Sequence, residues 1–271
     1  MMANPLMARF DLHVHTEATA PYMKGDARLA PYYEHGKANR LEFMGISDHY
    51  HYVWQATRYV RAQRAHIDAA KYADPRVYLG VEQTILGNKG QIGIRGSGRD
   101  VLDYIILAIH WMSIGGRLGR ETIESILQVP RNATKLVETA KAYYKGAIAN
   151  SHLSRIPKIV GHPFNFLACN HAPFPELLDA VDWLCKLCAD NHVAYEVNID
   201  SVPRAGSKNA GWLDVFWQHL SASLKAHRPL VSLGSDAHRL EAIGRIDLAI
   251  ACMAHYECKP DLLIGESFFD E

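Results

Sequence analysis

Little in this 271-residue sequence points to a membrane, a disulfide scaffold or a nucleic-acid groove. No apolar run reaches the roughly 18–20 residues that cross a bilayer. Lys+Arg and Asp+Glu each number 29, so the formal net charge is zero. That excludes a broadly basic surface for long nucleic acid and favours a small-molecule partner. The five cysteines are Cys169, Cys185, Cys188, Cys252 and Cys258, an odd count that argues against a disulfide framework. Cys185 and Cys188 have C-x-x-C spacing, but no second such pair completes a four-thiolate zinc site. Apolar residues recur at helical spacing through Glu176–Cys188, so helix packing is the role expected of both thiols. Met1 to Arg9 lacks the basic-then-apolar layout of a secretion signal, which makes a cytoplasmic location the expectation. No repeat and no linker divides the chain, and residues 1–271 read as one domain.

What remains is ordinary in bulk, with 48% hydrophobic and 21% charged residues. Histidine, at 15, is abundant, and it is the side chain most used for metals and for proton transfer near neutral pH. Apolar runs at Arg9–His13, Phe43–Ser47, Val77–Glu82, Tyr104–His110, Lys158–His162, Val193–Asn198 and Pro229–Ser235 are bounded by turn residues and read as strands. Amphipathic stretches near 27–39, 52–72, 120–145, 174–191, 211–227 and 242–255 have the lengths of crossover helices. A small hairpin insertion is expected near 83–95, turning at Asn88-Lys89-Gly90, followed by a flexible corner at Gly96-Ser97-Gly98. Seven strands alternating with helices predict an α/β chain forming one closed or nearly closed βα barrel.

Polar residues gather where these strands stop. The seven ends carry His13 and His15; Asp48 and His49; Glu82; His110; His162; Glu196 and Asn198; and Asp236 and His238. In a βα barrel the carboxyl ends of the strands open on one face, so these segments converge. A lone histidine at a strand end is ordinarily a partly buried residue without a ligand role, but eight candidates on one face must be read together. Positions two apart on a strand point the same way, so His13 and His15 can reach one ion. Asp236 and His238 can do likewise or serve adjacent ions. Imidazole with carboxylate suits Zn²⁺, Mn²⁺ or Fe²⁺ rather than Ca²⁺. Six histidines and two acids exceed one tetrahedral ion and suit two or three, with a bridging carboxylate.

Asp11-Leu-His-Val-His-Thr16, Ser47-Asp-His49, Gly161-His-Pro163 and Gly234-Ser-Asp-Ala-His238 together resemble the motifs of the PHP (polymerase and histidinol phosphatase) family. The resemblance covers nearly the whole chain and implies a distorted (β/α)7, TIM-like barrel. It also implies a two- or three-metal centre, at the carboxyl ends of the strands, that hydrolyses phosphate esters. By that similarity His13, His15, Glu82 and Asp236 hold one ion, Glu82 bridges to a second held by His110 and His162, and His49 and His238 belong to a third position. The sequence departs from the family at Ala20 and Pro21, where a third-ion ligand is usual and neither side chain can ligate. Either Glu17, Asp26 or His35 substitutes from the same loop or the next helix, or the third ion is weak or absent.

No nucleophile elbow, phosphate-cradling glycine loop or dinucleotide fingerprint is present, so the chemistry must come from the ions. The expected reaction is in-line attack on phosphorus by an ion-activated hydroxide, with Glu82 bridging and His49 or His238 protonating the leaving alcohol. Arg239 is the foremost candidate to grip a phosphate, since a guanidinium pairs bidentately with its oxygens. His51 is placed to touch substrate, and Lys24, Arg117 and Arg155 are lesser candidates. Asp11 is expected to orient an imidazole, Glu196 and Asn198 to line the pocket as hydrogen-bond partners, and Trp111 to wall the pocket or join the core. The remaining histidines (35, 66, 152, 171, 192, 219, 227 and 255) are expected at the surface or satisfied in the core. Alternatives are histidinol phosphate as the specific substrate, an amidohydrolase-type C–N hydrolase, or a non-catalytic barrel serving binding or assembly. No expected strand ends in the Lys that amidohydrolases commonly use as a bridge, and the intact ligand set weighs against the last.

Overall fold

The computed structural model describes residues 8–19, 28–49, 53–94, 96–112, 116–117, 130–164, 167, 174–198, 210–258 and 260–270. Its first sheet consists of β1 (Phe10–Val14), β2 (Phe43–Ile46) and β3 (Arg76–Leu79). The second contains β4 (Glu82–Thr84), β5 (Ile105–Ala108), β8 (Lys158–Val160), β9 (Ala194–Asn198) and β10 (Val231–Gly234), in the spatial order β10-β9-β8-β5-β4. Every pairing in these two sheets is parallel. A short antiparallel pair, β6 (Trp111–Met112) and β7 (Gly116–Arg117), follows β5 and was not foreseen from the sequence. The helices are α1 (Ala30–Ala38), α2 (Val53–Ala70), α3 (Pro130–Ile148), α4 (Pro175–Asp190), α5 (Ala210–His227) and α6 (Asp247–His255). Both α3 and α4 begin on proline, whose fixed φ and missing N–H suit a first helical turn.

All residues of β1, β2, β9 and β10 are buried, as parallel strands covered on both faces must be. On α4, Leu177, Ala180, Val181, Leu184, Cys185 and Cys188 face inward at helical spacing, so the C-x-x-C pair is core packing. No helix among the described residues is long and apolar enough to cross a membrane.

The single strand expected at Val77–Glu82 is two strands. The chain leaves the first sheet at Gly80 and enters the second at Glu82. Gly80 N–H still donates to Ile46 O (2.7 Å), whereas Val81 O accepts from Ile106 N–H (2.9 Å). The buried ring of Tyr104 forces this crossing to be glycine: a Cβ on Gly80 would fall 2.3 Å from Cζ and 2.6 Å from Cε1 and Cε2. Tyr104 itself is pinned, its hydroxyl donating to Leu12 O at 2.6 Å. Gly80→Ala is therefore expected to lower stability by about 1–3 kcal/mol through overpacking, read as a lower denaturation midpoint at unchanged m-value.

The other edges of the two sheets are also hydrogen-bonded. His15 N–H donates to Ala237 O (2.8 Å) and Ala237 N–H to His13 O (3.2 Å), joining the end of β1 to the segment after β10. In the insertion after β4 the chain turns at Gly87–Gly90, closed by Leu86 N–H to Gln91 O (2.8 Å), with β4 itself pairing in parallel with β5.

Candidate metal centre

Five imidazoles surround one carboxylate. Glu82, the first residue of β4, is 1% exposed. Its Oε2 lies 3.1 Å from His13 Nε2, 3.4 Å from His15 Nε2 and 3.0 Å from His49 Nε2. Its Oε1 lies 2.8 Å from His162 Nε2 and 3.1 Å from His110 Nε2. Asp236 Oδ1 closes the ring, 3.0 Å from His15 Nε2 and 3.5 Å from both His13 Nε2 and His238 Nδ1. His13 is the last residue but one of β1, and His15, His49, His110, His162, Asp236 and His238 sit within a few residues past the ends of β1, β2, β5, β8 and β10. All eight expected ligand residues are thus brought together.

The geometry is held from behind. His13 Nδ1 pairs with Glu196 Oε1 at 2.7 Å, His15 Nδ1 with Thr19 Oγ1 at 3.3 Å and His110 Nδ1 with Thr84 Oγ1 at 2.9 Å. Each of these bonds occupies Nδ1 and leaves Nε2 for the centre. Thr19 Oγ1 also accepts from His49 N–H (2.9 Å). Two candidate ligands have left-handed backbone, His162 at φ 29° and Asp236 at φ 54°, a conformation L-residues avoid unless surroundings impose it.

Asp11 does not orient an imidazole. Its carboxylate accepts from the backbone N–H of His13, Ser235 and Gly244 (3.2, 3.0 and 2.8 Å) and from Ser235 Oγ–H (2.6 Å), tying β1 to the segment after β10. Asp48 does similar work one strand over, bonding Thr16 and Gln63. The orienting carboxylate is Glu196.

Three groupings place ligand atoms within 4.8 Å of one another: His13, His15, Glu82 and Asp236; His49, Glu82 and His110; and His15, His49 and His238. His162 reaches the same Glu82 oxygen as His110. Neither Glu17 nor His35 belongs to these groupings. Ala20, Pro21, Lys24, Asp26, His51, Cys169 and His171 lie outside the described residues, as do the side chains of Trp111 and Arg117. Arg239 is exposed, one residue past His238, where a short 3-10 turn begins. Arg155 is exposed before the first residue of β8, at the opposite end of the strands from the cluster. His219 and His227 bond Leu178 O and Asp182 across α4 and α5, as satisfied structural histidines.

Charge compensation within the cluster is strong. Burial opposes ionisation of Glu82, yet His49, His110 and His13 hold its carboxyl well below the usual carboxylate range. Asp236 is likewise held low, against burial, by His13 and His15. Burial would depress His13, but Glu196, Glu82 and Asp236 raise it well above the ordinary histidine value. His15 rises to about 9 despite burial, through Asp236 and Glu82. His49 goes the other way, pushed down by burial and by His15 and His110 against the pull of Glu82.

These residues fit divalent cations. His13 Nε2 and Glu82 Oε2 are buried without a hydrogen-bond partner, although only 3.1 Å apart. Buried polar atoms are rarely left so. Ligands about 2.0–2.1 Å from a tetrahedral or octahedral ion stand about 2.9–3.4 Å from each other. That is the spacing found around Glu82.

Sequence inspection did not single out Thr19 or Thr84. Thr84 had a signal, since it lies two residues from Glu82 on the same strand and so on the same face. Thr19 had none, because its place depends on the loop after β1.

Fold and site together define an α/β chain of parallel sheets carrying a histidine–carboxylate centre beyond the strand ends. The PHP domain family model matches residues 11–200, and the chain belongs to that family. It is 27% identical over 191 residues, 70% of this chain, to proteins described as "probable phosphatase" from Aliivibrio fischeri strains ES114 and MJ11. The chain spans 63% of the length of those relatives. Among solved structures it resembles histidinol phosphate phosphatase from Lactococcus lactis, complexed with zinc, L-histidinol and phosphate. That likeness has a TM-score of 0.57 at 14% identity and covers 93% of both chains.

Proposed function

We propose that this protein is a metal-dependent hydrolase of small phosphate esters. The observation that carries the reading is Glu82, whose two oxygens face separate sets of imidazoles and so can join two ions. In this reading residues 1–271 form one domain, and the two sheets form one distorted (β/α)7 barrel closed at both hydrogen-bonded edges. His13, His15, Glu82 and Asp236 hold one Zn²⁺, Mn²⁺ or Fe²⁺, and Glu82, His110 and His162 hold a second. A third position would use His238 and His49 beside His15. Ala20 and Pro21, where a further ligand is usual by the family resemblance, have side chains that cannot ligate.

Bound cations supply Lewis acidity, drawing a water toward its conjugate base near neutral pH and offsetting charge on non-bridging phosphoryl oxygens. The protein's own groups then divide the remaining work. Glu82 fixes the separation of the two positions, and Thr84, Thr19 and Glu196 fix ring orientation. His238, half-exposed at the rim with its Nδ1 paired to Asp236 O (2.9 Å), keeps Nε2 free to hand a proton to a leaving alcohol. His49, partly buried and unfavourable as a cation, is the alternative donor only when no third ion occupies it. Arg239 would grip the phosphate, and His51 would touch substrate.

The test is hydrolysis of p-nitrophenyl phosphate, bis(p-nitrophenyl) phosphate and histidinol phosphate by metal-replete and chelator-treated protein. Hydrolysis of at least one ester that disappears on chelation and returns with Zn²⁺, Mn²⁺ or Fe²⁺ is expected. A rate unaffected by chelation, or metal-replete protein inert toward all three esters, would defeat this reading.

A further inference from the structure

We infer that Glu196 is a positioning residue that couples the two ion positions, presenting His13 to one and His162 to the other from a single buried carboxylate. The inference rests on the metal-dependent reading above. Glu196 lies in β9, 1% exposed, and each of its oxygens serves a different ligand segment. Oε1 pairs with His13 Nδ1 at 2.7 Å. Oε2 accepts from the backbone N–H of His162 at 2.6 Å and from Asn198 Nδ2 at 3.4 Å.

The sheet order makes this reach possible. β9 pairs with β8 on one side and β10 on the other, so its side chain can meet the end of β8 and, past β10, the ring on β1. Room has been left for it. A Cβ on Gly234 of β10 would fall 2.1 Å from Glu196 Oε1 and 2.7 Å from His13 Cβ, so any side chain there would displace the carboxylate from the imidazole.

Chemistry decides what the contact does. A carboxylate oxygen only accepts, so His13 Nδ1 must donate, and Nε2 is the ring nitrogen left facing Glu82 and Asp236. The threonines behind His15 and His110 cannot impose this, because a hydroxyl both donates and accepts. The second oxygen acts on backbone instead. His162 holds φ 29°, and its N–H donates to Glu196 while its Nε2 meets Glu82.

Glu196→Gln separates this role from mere packing, since the shape is kept and only the donor–acceptor pattern changes. If the amide oxygen serves the His162 N–H, the amide nitrogen faces His13 Nδ1. The His13 proton then moves to Nε2, the atom needed for an ion. If the amide turns over, two donors confront each other at His162. Either way one ion position loses a prepared ligand. Glu196→Asp stays acceptor-only but is one methylene shorter, so it can serve one partner and not both.

The experiment is titration of the metal-free wild type, Glu196→Gln and Glu196→Asp with Co²⁺, following visible absorption and bound cobalt per chain, with thermal melting of each metal-free protein. The expected result is affinity at one position weakened about 10–100-fold in Glu196→Gln, with a changed absorption spectrum. Glu196→Asp should bind more tightly than Glu196→Gln, and all three metal-free proteins should melt alike. Wild-type affinity and spectrum in Glu196→Gln would overturn the inference. So would a metal-free Glu196→Gln that melts well below the wild type, because Glu196 would then be structural. A wild type that takes up no cobalt would overturn the metal-dependent reading itself, a result distinct from either.

Discussion

Glu82→Gln should lower the metal-dependent hydrolysis rate on the order of 10³-fold, and it should lower the bound metal from about two ions per chain toward one. The reason is the division of labour between its oxygens. Oε2 faces His13, His15 and His49, while Oε1 faces His110 and His162. An amide keeps the outline but has one oxygen to offer, and its NH₂ is a donor aimed at nitrogens that must themselves serve as ligands. Two-ion catalysis supplies several kcal/mol of charge stabilisation, and each 1.36 kcal/mol is a factor of ten in rate. The loss of one ion is therefore of the size stated. Single-turnover hydrolysis together with metal analysis of the same sample decides it. A Glu82→Gln protein with full metal content and full rate would sink the bridging assignment.

Chelation should lower the melting temperature by roughly 8–16 °C. Ions that bind only the native state stabilise it by RT ln(1 + [L]/Kd), about 4 kcal/mol at a thousandfold excess over Kd. Each kcal/mol shifts the midpoint of a chain of this size by about 2–4 °C. The centre draws on β1, β2, β4, β5, β8 and β10 or the segments following them, so the ions would tie six segments of the two sheets together. Glu82 and Asp236 are compensated by surrounding imidazoles, so the metal-free chain is expected to fold, at a lower melting temperature. Differential scanning calorimetry with and without chelator, then with restored Zn²⁺ or Mn²⁺, measures the shift. A melting temperature indifferent to chelation would show that no ion is held by the native protein.

Much of the candidate site is legible in the sequence because its candidate ligands come in short local patterns. His13 and His15 are two apart on a strand, and Asp236 and His238 are two apart just past one. Each of the remaining four follows an apolar run. Period-two geometry and the shared end of parallel strands carry that information from sequence to space. Helix packing of Cys185 and Cys188 was legible for the same reason, since an amphipathic period of 3.6 states which side faces the core.

What local pattern could not decide was which groups stand behind the candidate ligands. Asp11 lies two residues from His13 and looked like the group that would orient it. It is spent instead on backbone N–H groups of the segment after β10. Glu196, 183 residues away in sequence, holds the ring. The crossing of residues 80–82 from one sheet to the other was equally hidden. It depends on the Tyr104 ring lying against Gly80, a contact between side chain and backbone that no hydropathy pattern records. Residue type and spacing thus determined which atoms could serve as donors to a cation, because those are properties of short stretches of chain. Only the tertiary structure decided how the donors are aimed and protonated, because a buried imidazole takes its tautomer and direction from whichever partner packing sets against its other nitrogen.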